Sequence, residues 1–279
     1  MREIQPVIKW SGSKRSQAQE ILEYFPKDIK TYYEPFCGGC SVLAALLLSN
    51  KNVRHYVCSD LNGDLIALWN KIKQVPFEVL DWYRELWQEL NKDSDIDRKR
   101  EYFNSIRDRL NKEHNPLDFM FVMRTTTNGM PRYNEAGEFN NSFHLTRRGA
   151  QPKELKIPLL EWSYLLKHYD VEFRCCSYDE IKPDKNDFMY LDPPYANSAS
   201  MYFGSFDVFK FFDWLGMQEC PYAFSFDGIT TCGDNTFAVP EKLYTEHIYT
   251  KGQNSSFRRI IGKTNTCMVQ ESLYIKTGD

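Results

Sequence analysis

The chain has 279 residues, 42% of them hydrophobic, enough to bury a substantial core in one large domain or in one domain carrying an insertion, which excludes a large multidomain assembly. Its formal net charge of −3 argues against a protein that coats nucleic acid by bulk electrostatics, so any nucleic-acid contact must come from local basic segments. With no run of about 18 apolar residues, and a start (Met1-Arg2-Glu3-Ile4-Gln5-Pro6) lacking the basic-then-apolar pattern of a secretory signal, the expectation is a soluble cytoplasmic protein without a membrane partner.

Residues 31–36, Thr-Tyr-Tyr-Glu-Pro-Phe, read as a strand running into Gly38-Gly39, after which Ser41 to Leu48 reads as an apolar helix. A second short strand, His55 to Ser59, delivers Asp60 a little over twenty residues past the turn. That spacing suits a nucleotide-binding α/β crossover, because a carboxylate at the end of the second strand can reach ribose hydroxyls.

From about 65 to 125 the pattern is helical. Phe77, Leu80, Tyr83, Trp87 and Leu90 recur at helical spacing, Phe103, Ile106 and Leu110 share the face of a second helix, and Asn115-Pro116 has the form of a cap followed by a first-turn proline. Met130 to Phe139, with Asn134-Glu135-Ala136-Gly137 at its centre, predicts a hairpin with glycine at the left-handed position. Beyond about 153 the alternation of strands and helices returns. Asp187 to Leu191 reads as a buried strand, Tyr222 to Phe226 and Leu243 to Tyr249 as later strands, and Met268 to Ile275 as a strand near the sheet edge. The architecture expected is an α/β domain over 1–64 and 153–279, interrupted over 65–152 by a mainly helical insertion with the hairpin.

Asp192-Pro193-Pro194-Tyr195, closing an apolar strand, carries the most specific chemistry. The exocyclic amine of adenine is a poor nucleophile because its lone pair is delocalised into the ring. A carboxylate on Asp192 and the carbonyl of Pro193 can each accept one amine hydrogen and draw the nitrogen toward tetrahedral geometry. Two prolines stiffen that backbone, and Tyr195 offers a flat face for an extruded base. The bland alternative is a proline turn after a strand.

Glu34-Pro35-Phe36-Cys37-Gly38-Gly39-Cys40-Ser41 places glycines where a ligand can approach the backbone closely, but spells no Gly-x-Gly-x-x-Gly, so a dehydrogenase reading is weak. Cys37 and Cys40 form a Cys-x-x-Cys. No second such pair or close histidine pair accompanies it, so no metal is expected, and all eight cysteines are expected as reduced thiols. At the front, Lys9-Trp10-Ser11-Gly12-Ser13-Lys14 can set a tryptophan against a purine while a lysine reaches a carboxylate.

Taken together, the Lys-Trp-x-Gly-x-Lys start, the Pro-Phe-Cys-Gly-Gly turn, the central insertion and Asp-Pro-Pro-Tyr resemble, in order and over nearly the whole chain, the Dam family of DNA adenine methyltransferases of the α-group. The resemblance implies a Rossmann-like class I S-adenosyl-L-methionine-dependent methyltransferase domain with an inserted target-recognition domain, working in the cytoplasm of a bacterial or phage-infected cell. It implies double-stranded DNA as partner, GATC as the leading target site, and S-adenosyl-L-methionine as cofactor, held by Trp10, Lys14, Phe36, Gly38, Asp60, Asp179 and Asp192. It implies Lys9, Asn128, Met130, Arg132 and Tyr133 as DNA contacts; the sequence itself adds Arg124, Arg147 and Arg148 in or beside the hairpin as further candidates and Lys251, Arg258, Arg259 and Lys263 as a second basic cluster, the bland alternative being two solvated basic loops. Arg132 is the expected base reader, since an arginine can bridge two acceptors of guanine. Ser13 and Cys40 stand where the family usually has glycines, which implies a working cofactor site of altered affinity. Two competing readings are an RNA or cytosine-amine methyltransferase, which Asp192 disfavours, and a DNA-binding relative that has lost catalysis, which the intact Asp192 to Tyr195 run disfavours.

Overall fold

The computed structural model describes residues 3–146, 148–195, 204, 206–231, 233–234, 236–254 and 268–278. Among these residues, nine strands form one sheet. Five are parallel: β1 (Asp28–Glu34), β2 (Asn52–Asp60), β3 (Glu172–Cys175), β4 (Phe188–Leu191) and β5 (Tyr222–Thr230). Two-residue β6 (Gly233–Asp234) and β8 (Gln253–Asn254) hang from its margin, and β7 (Glu246–Tyr249) and β9 (Met268–Lys276) complete the row β3-β2-β1-β4-β5-β9-β7. β9 runs antiparallel between β5 and β7. A parallel sheet whose strand order reverses between β1 and β4, closed by a strand of opposite direction, is a Rossmann-like arrangement. Its ligand crevice lies at the carboxyl ends of the strands flanking the reversal.

The core explains the order. All four residues of β4 are buried, as a central strand covered on both faces requires. Around α8 (Val208–Gly216), Phe211, Phe212, Trp214 and Leu215 pack with Met189, Leu191, Phe224 and Phe226. A larger cluster joins α1 (Ala18–Glu23), α2 (Ser41–Leu47) and α3 (Gly63–Gln74) to the further helices between β2 and β3 without a break. Those helices are α4 (Pro76–Leu90), α5 (Ile96–Glu113) and α6 (Pro116–Thr125), and α7 (Pro152–His168) packs on α3 and α4. Caps set their starts: Asp95 accepts the Asp97 and Arg98 amides, and Asn115 accepts that of Leu117 ahead of Pro116. No helix among the described residues is long and apolar enough to cross a membrane.

Three details differ from the sequence reading. Phe77 is 57% exposed, and the buried stripe of α4 is Val79, Leu80, Tyr83, Leu86 and Leu90. Residues 241–243 form a 3-10 turn that seats Leu243 in the α8 cluster, where its carbonyl accepts the Tyr222 hydroxyl, so β7 begins only at Glu246. The hairpin has isolated bridges, Thr126 to Phe143 and Tyr133 to Phe139, in place of a ladder. The turn itself follows expectation: Gly137 has φ +77° and donates to the Asn134 carbonyl. Its far arm is pinned to α5 because the Asn111 side chain both donates to and accepts from the Phe139 backbone.

Candidate active site

The carboxyl ends of β1, β2 and β4 deliver Glu34, Asp60 and Asp192 to one pocket of about 170 Å³, with Glu271 of β9 on its wall. Its floor is the turn from Cys37 to Cys40. The Gly38 amide donates to Asp60 Oδ2 at 3.1 Å, its carbonyl accepts Trp69 Nε1 at 2.9 Å, and the Asn62 amide takes Asp60 Oδ1 at 3.0 Å. Trp10 lies against this turn: a side chain at Gly38, whose φ is +44°, would meet Trp10 Nε1 at 2.6 Å. Glycine is therefore needed at 38 for both conformation and space. Cys40 also has a left-handed backbone, φ 53°, which accounts for a glycine preference there. Ser13, the other departure, hydrogen-bonds Ser41 at 2.6 Å and so ties the N-terminal segment to the start of α2.

At the opposite wall, Lys14 is 5% exposed and its Nζ lies 2.8 Å from Asp192 Oδ1 and 3.5 Å from Glu271 Oε2. The same ammonium stands 5.1 Å above the ring of Tyr195. Burial lifts the Asp192 carboxyl to about 6 even though Lys14 pulls it down, and the Glu271 charge adds to the rise. Burial lifts Asp60 to about 6 as well, against the pull of three backbone amides. Glu34 goes further, to about 8, because it is fully enclosed and the Tyr32 hydroxyl that donates to it at 2.6 Å only partly offsets desolvation. Phe36 and Tyr178 stack at 5.4 Å, with Phe206 edge-on to Phe36. Carboxylates beside aromatic faces suit a cationic ligand that also carries a flat ring.

The two thiols in the turn are not a reactive pair. Cys37 is buried and pushed up to about 12, and Cys40 and Cys58, also buried, are raised too, so none supplies a thiolate near neutral pH. Among the described residues no group of three His, Cys, Asp or Glu could hold a metal ion.

Against known proteins, residues 10–214 match the D12 class N6 adenine-specific DNA methyltransferase family. The chain belongs to that family. It is 32% identical over 228 residues to the type II methyltransferase M.MjaIII of Methanocaldococcus jannaschii, covering 76% of each chain. It is 32% identical over 199 residues to the DNA adenine methylase of Salmonella typhi, covering 70% of this chain and 66% of that one. The solved rRNA methyltransferase aviRa of Streptomyces viridochromogenes aligns over 92% of this chain and 81% of its own at 12% identity, but its TM-score of 0.36 is too low to bear on fold or function.

Within this member of the family the expected site residues converge unevenly. Trp10, Lys14, Phe36, Gly38, Asp60, Asp192, Pro193, Pro194 and Tyr195 all line the pocket. Asp179 does not. It is exposed in the turn Tyr178–Glu180, and the neighbouring Cys176, Ser177 and Tyr178 supply the lining instead. Pro131, at the hairpin's base, reaches the same pocket, so the insertion opens directly onto it.

The N-terminal segment links the two regions. Lys9 packs beneath Gly129, Ser11 N donates to the Gly129 carbonyl at 3.0 Å, and Asn128 beside it has φ 61°. The Asn141 side chain donates to the carbonyls of Thr127 and Met130. Asn62, which caps α3 two residues after Asp60, donates to the Tyr133 hydroxyl at 2.6 Å, tying the hairpin to the end of β2. Arg132 and Arg148 are exposed. Arg124 is half-buried, with its guanidinium on the Pro6 carbonyl at 3.2 Å and its pKa lowered by desolvation. Lys251 is exposed, while Arg147, Arg258, Arg259 and Lys263 lie outside the described residues.

Sequence reasoning missed Glu271, Asn62 and Tyr178. Asn62 showed the cap-then-apolar pattern of a helix start. Glu271 had a weaker mark, an acid inside a segment read as a strand near the sheet edge.

Proposed function

We propose that this protein transfers a methyl group from S-adenosyl-L-methionine to N6 of an adenine swung out of duplex DNA at a short specific site, with GATC the leading candidate. The observation that carries the reading is the position of Asp192. It ends a rigid central strand, faces the pocket built on the Gly38-Gly39 turn, and is followed by two prolines and an aromatic ring.

The pocket's acids and aromatic faces fit a sulfonium nucleoside with an amino-acid tail. When bound, that cofactor supplies an electrophilic methyl group. Asp60 already gives both carboxylate oxygens to backbone amides, which holds it rigid, and a carboxylate oxygen retains a further lone pair for a ribose hydroxyl. Phe36 and Tyr178 offer the purine a face, and Trp10 braces the floor. Asp192 and the Pro193 carbonyl accept the two hydrogens of the target amine, so its lone pair points along the line of attack. Ionised Asp192 also faces the positive charge that develops on the nitrogen and can hold the proton released when that charge is discharged. Tyr195 stacks on the base, a contact worth about 1–3 kcal/mol, comparable with the cost of unstacking it from the duplex.

The helical insertion over 65–152 is proposed as the target-recognition domain. Arg132 is proposed to read a guanine, with Lys9, Asn128, Met130, Tyr133 and Arg148 setting the register on DNA. Sequencing DNA from cells that express the protein, with detection of modified adenines, tests the acceptor and the site together. Modified adenine in one short motif supports the reading, whereas modified cytosine or unmodified DNA overturns it.

A further inference from the structure

We propose that Glu271 is a positioning residue for methyl transfer: its carboxylate takes over the Lys14 ammonium when Asp192 turns to the target amine. The proposal rests on the reading of Asp192 as the acceptor of that amine's hydrogen.

An ammonium has three N–H donors, and the acceptors near Lys14 Nζ include Asp192 Oδ1 at 2.8 Å, the Gly12 carbonyl at 3.2 Å and Glu271 Oε2 at 3.5 Å. The first is at the length of a charge-assisted hydrogen bond and the last is a longer ion pair, with the Glu271 carboxylate buried beside the Tyr195 hydroxyl. This asymmetry leaves Asp192 in the wrong state for chemistry. Its inward charge is neutralised and one oxygen is occupied, whereas polarising an aromatic amine calls for an ionised carboxylate with an open acceptor.

Lys14 is too deeply enclosed to move into water, so releasing Asp192 requires a second buried anion within reach. Glu271 is that anion. A shift of about 1 Å shortens its contact with the ammonium to the range of a charge-assisted bond and opens Asp192. The exchange leaves the net charge of the pocket unchanged and moves no proton. Glu271 is a firm receiver, because its carbonyl accepts the Thr250 amide at 2.9 Å and Gln17 in turn donates to the Thr250 hydroxyl. Lys14 stays close to the Tyr195 ring, so the exchange also adjusts the charge beside the face on which the base is proposed to stack.

The test uses the purified full-length protein with S-adenosyl-L-methionine and a duplex carrying the target adenine. Single-turnover methyl transfer is followed against pH for wild type, Glu271→Gln, Glu271→Asp and, as a control, Asp192→Asn, together with cofactor affinity, DNA affinity and melting temperature. Glu271→Gln is expected to keep its melting temperature and both affinities while the plateau rate falls about 100-fold, the scale of a 1 Å misplacement. Its acid limb is expected to move to lower pH, because the charge that raises the Asp192 carboxyl is gone and Lys14 remains on it. Glu271→Asp is expected to recover part of the rate. An unchanged plateau rate in Glu271→Gln, with Asp192→Asn inactive, overturns the role of Glu271 alone. A rate loss accompanied by weaker binding or melting, without movement of the acid limb, does the same. Wild type that transfers no methyl group overturns both this proposal and the reading beneath it.

Discussion

Lys14 Nζ sits 2.8 Å from Asp192 Oδ1, and this contact opposes the burial that lifts the Asp192 carboxyl to about 6. Asp192 must be ionised to draw on the amine, so the rate is expected to fall as pH drops through about 6. Lys14→Met removes the influence that holds the carboxyl down, and the acid limb is then expected to move to higher pH. Single-turnover rates across pH 5 to 8 check this, and a limb that stays in place in Lys14→Met separates Lys14 from the titration of Asp192.

Asp192→Ala is expected to lower methyl transfer by about 10²–10³-fold or more, with duplex binding largely retained, since the carboxylate acts on the reacting amine. Gel-shift affinity measured beside the rate distinguishes this from a general loss of the site. Equal losses of binding and rate run against the assignment.

Arg132 is exposed on the hairpin, clear of the cofactor pocket's lining. Arg132→Ala is expected to narrow the preference for the cognate duplex by about 1–3 kcal/mol and to leave cofactor affinity as it was. Competition between cognate duplexes and duplexes with one altered base pair reads the effect, and undiminished discrimination removes Arg132 from recognition.

Tyr133 and Asn62 connect the hairpin to the end of β2 through one hydrogen bond of 2.6 Å. Tyr133→Phe leaves the Asn62 amide short of that acceptor and is expected to cost about 1 kcal/mol in stability. DNA affinity is expected to weaken more than cofactor affinity. Calorimetry of the two ligands decides it, with equal weakening of both pointing to a defect of the pocket itself.

Glu34 gives a prediction about folding. Its carboxyl, lifted by burial from 4.5 to about 8, keeps in the folded chain a proton that the unfolded chain releases. Stability of the cofactor-free protein is therefore expected to fall as pH rises from 4.5 through 8. Asp60 and Asp192, lifted to about 6, contribute only to the lower part of that range. Glu34→Gln imitates the protonated form, so the decline between pH 6 and 8 is expected to flatten. Urea midpoints for the two proteins at those pH values test it.

Much of this site was legible because Asp60 and Asp192 each stand at the end of a strand and precede a turn, and parallel strands carry such residues to the same edge of a sheet. The Gly38-Gly39 pair announced a close approach for the same local reason. Glu271 was illegible because its nearness to Asp192 depends on β9 lying beside β5, an order that no local pattern states. The hydrogen bond of Arg124 to the Pro6 carbonyl was illegible for the same reason, since the two lie far apart in sequence. The loose pairing of the hairpin follows from Asn111 and Asn141, whose side chains hold backbone groups that a ladder could otherwise use.

The most direct measurement is mass spectrometry of nucleosides from duplex DNA incubated with the purified protein and S-adenosyl-L-methionine, wild type beside Asp192→Asn. N6-methyladenine made by the wild type and nearly absent with the variant is the predicted result. Methylated cytosine, or equal N6-methyladenine from both proteins, would contradict the account.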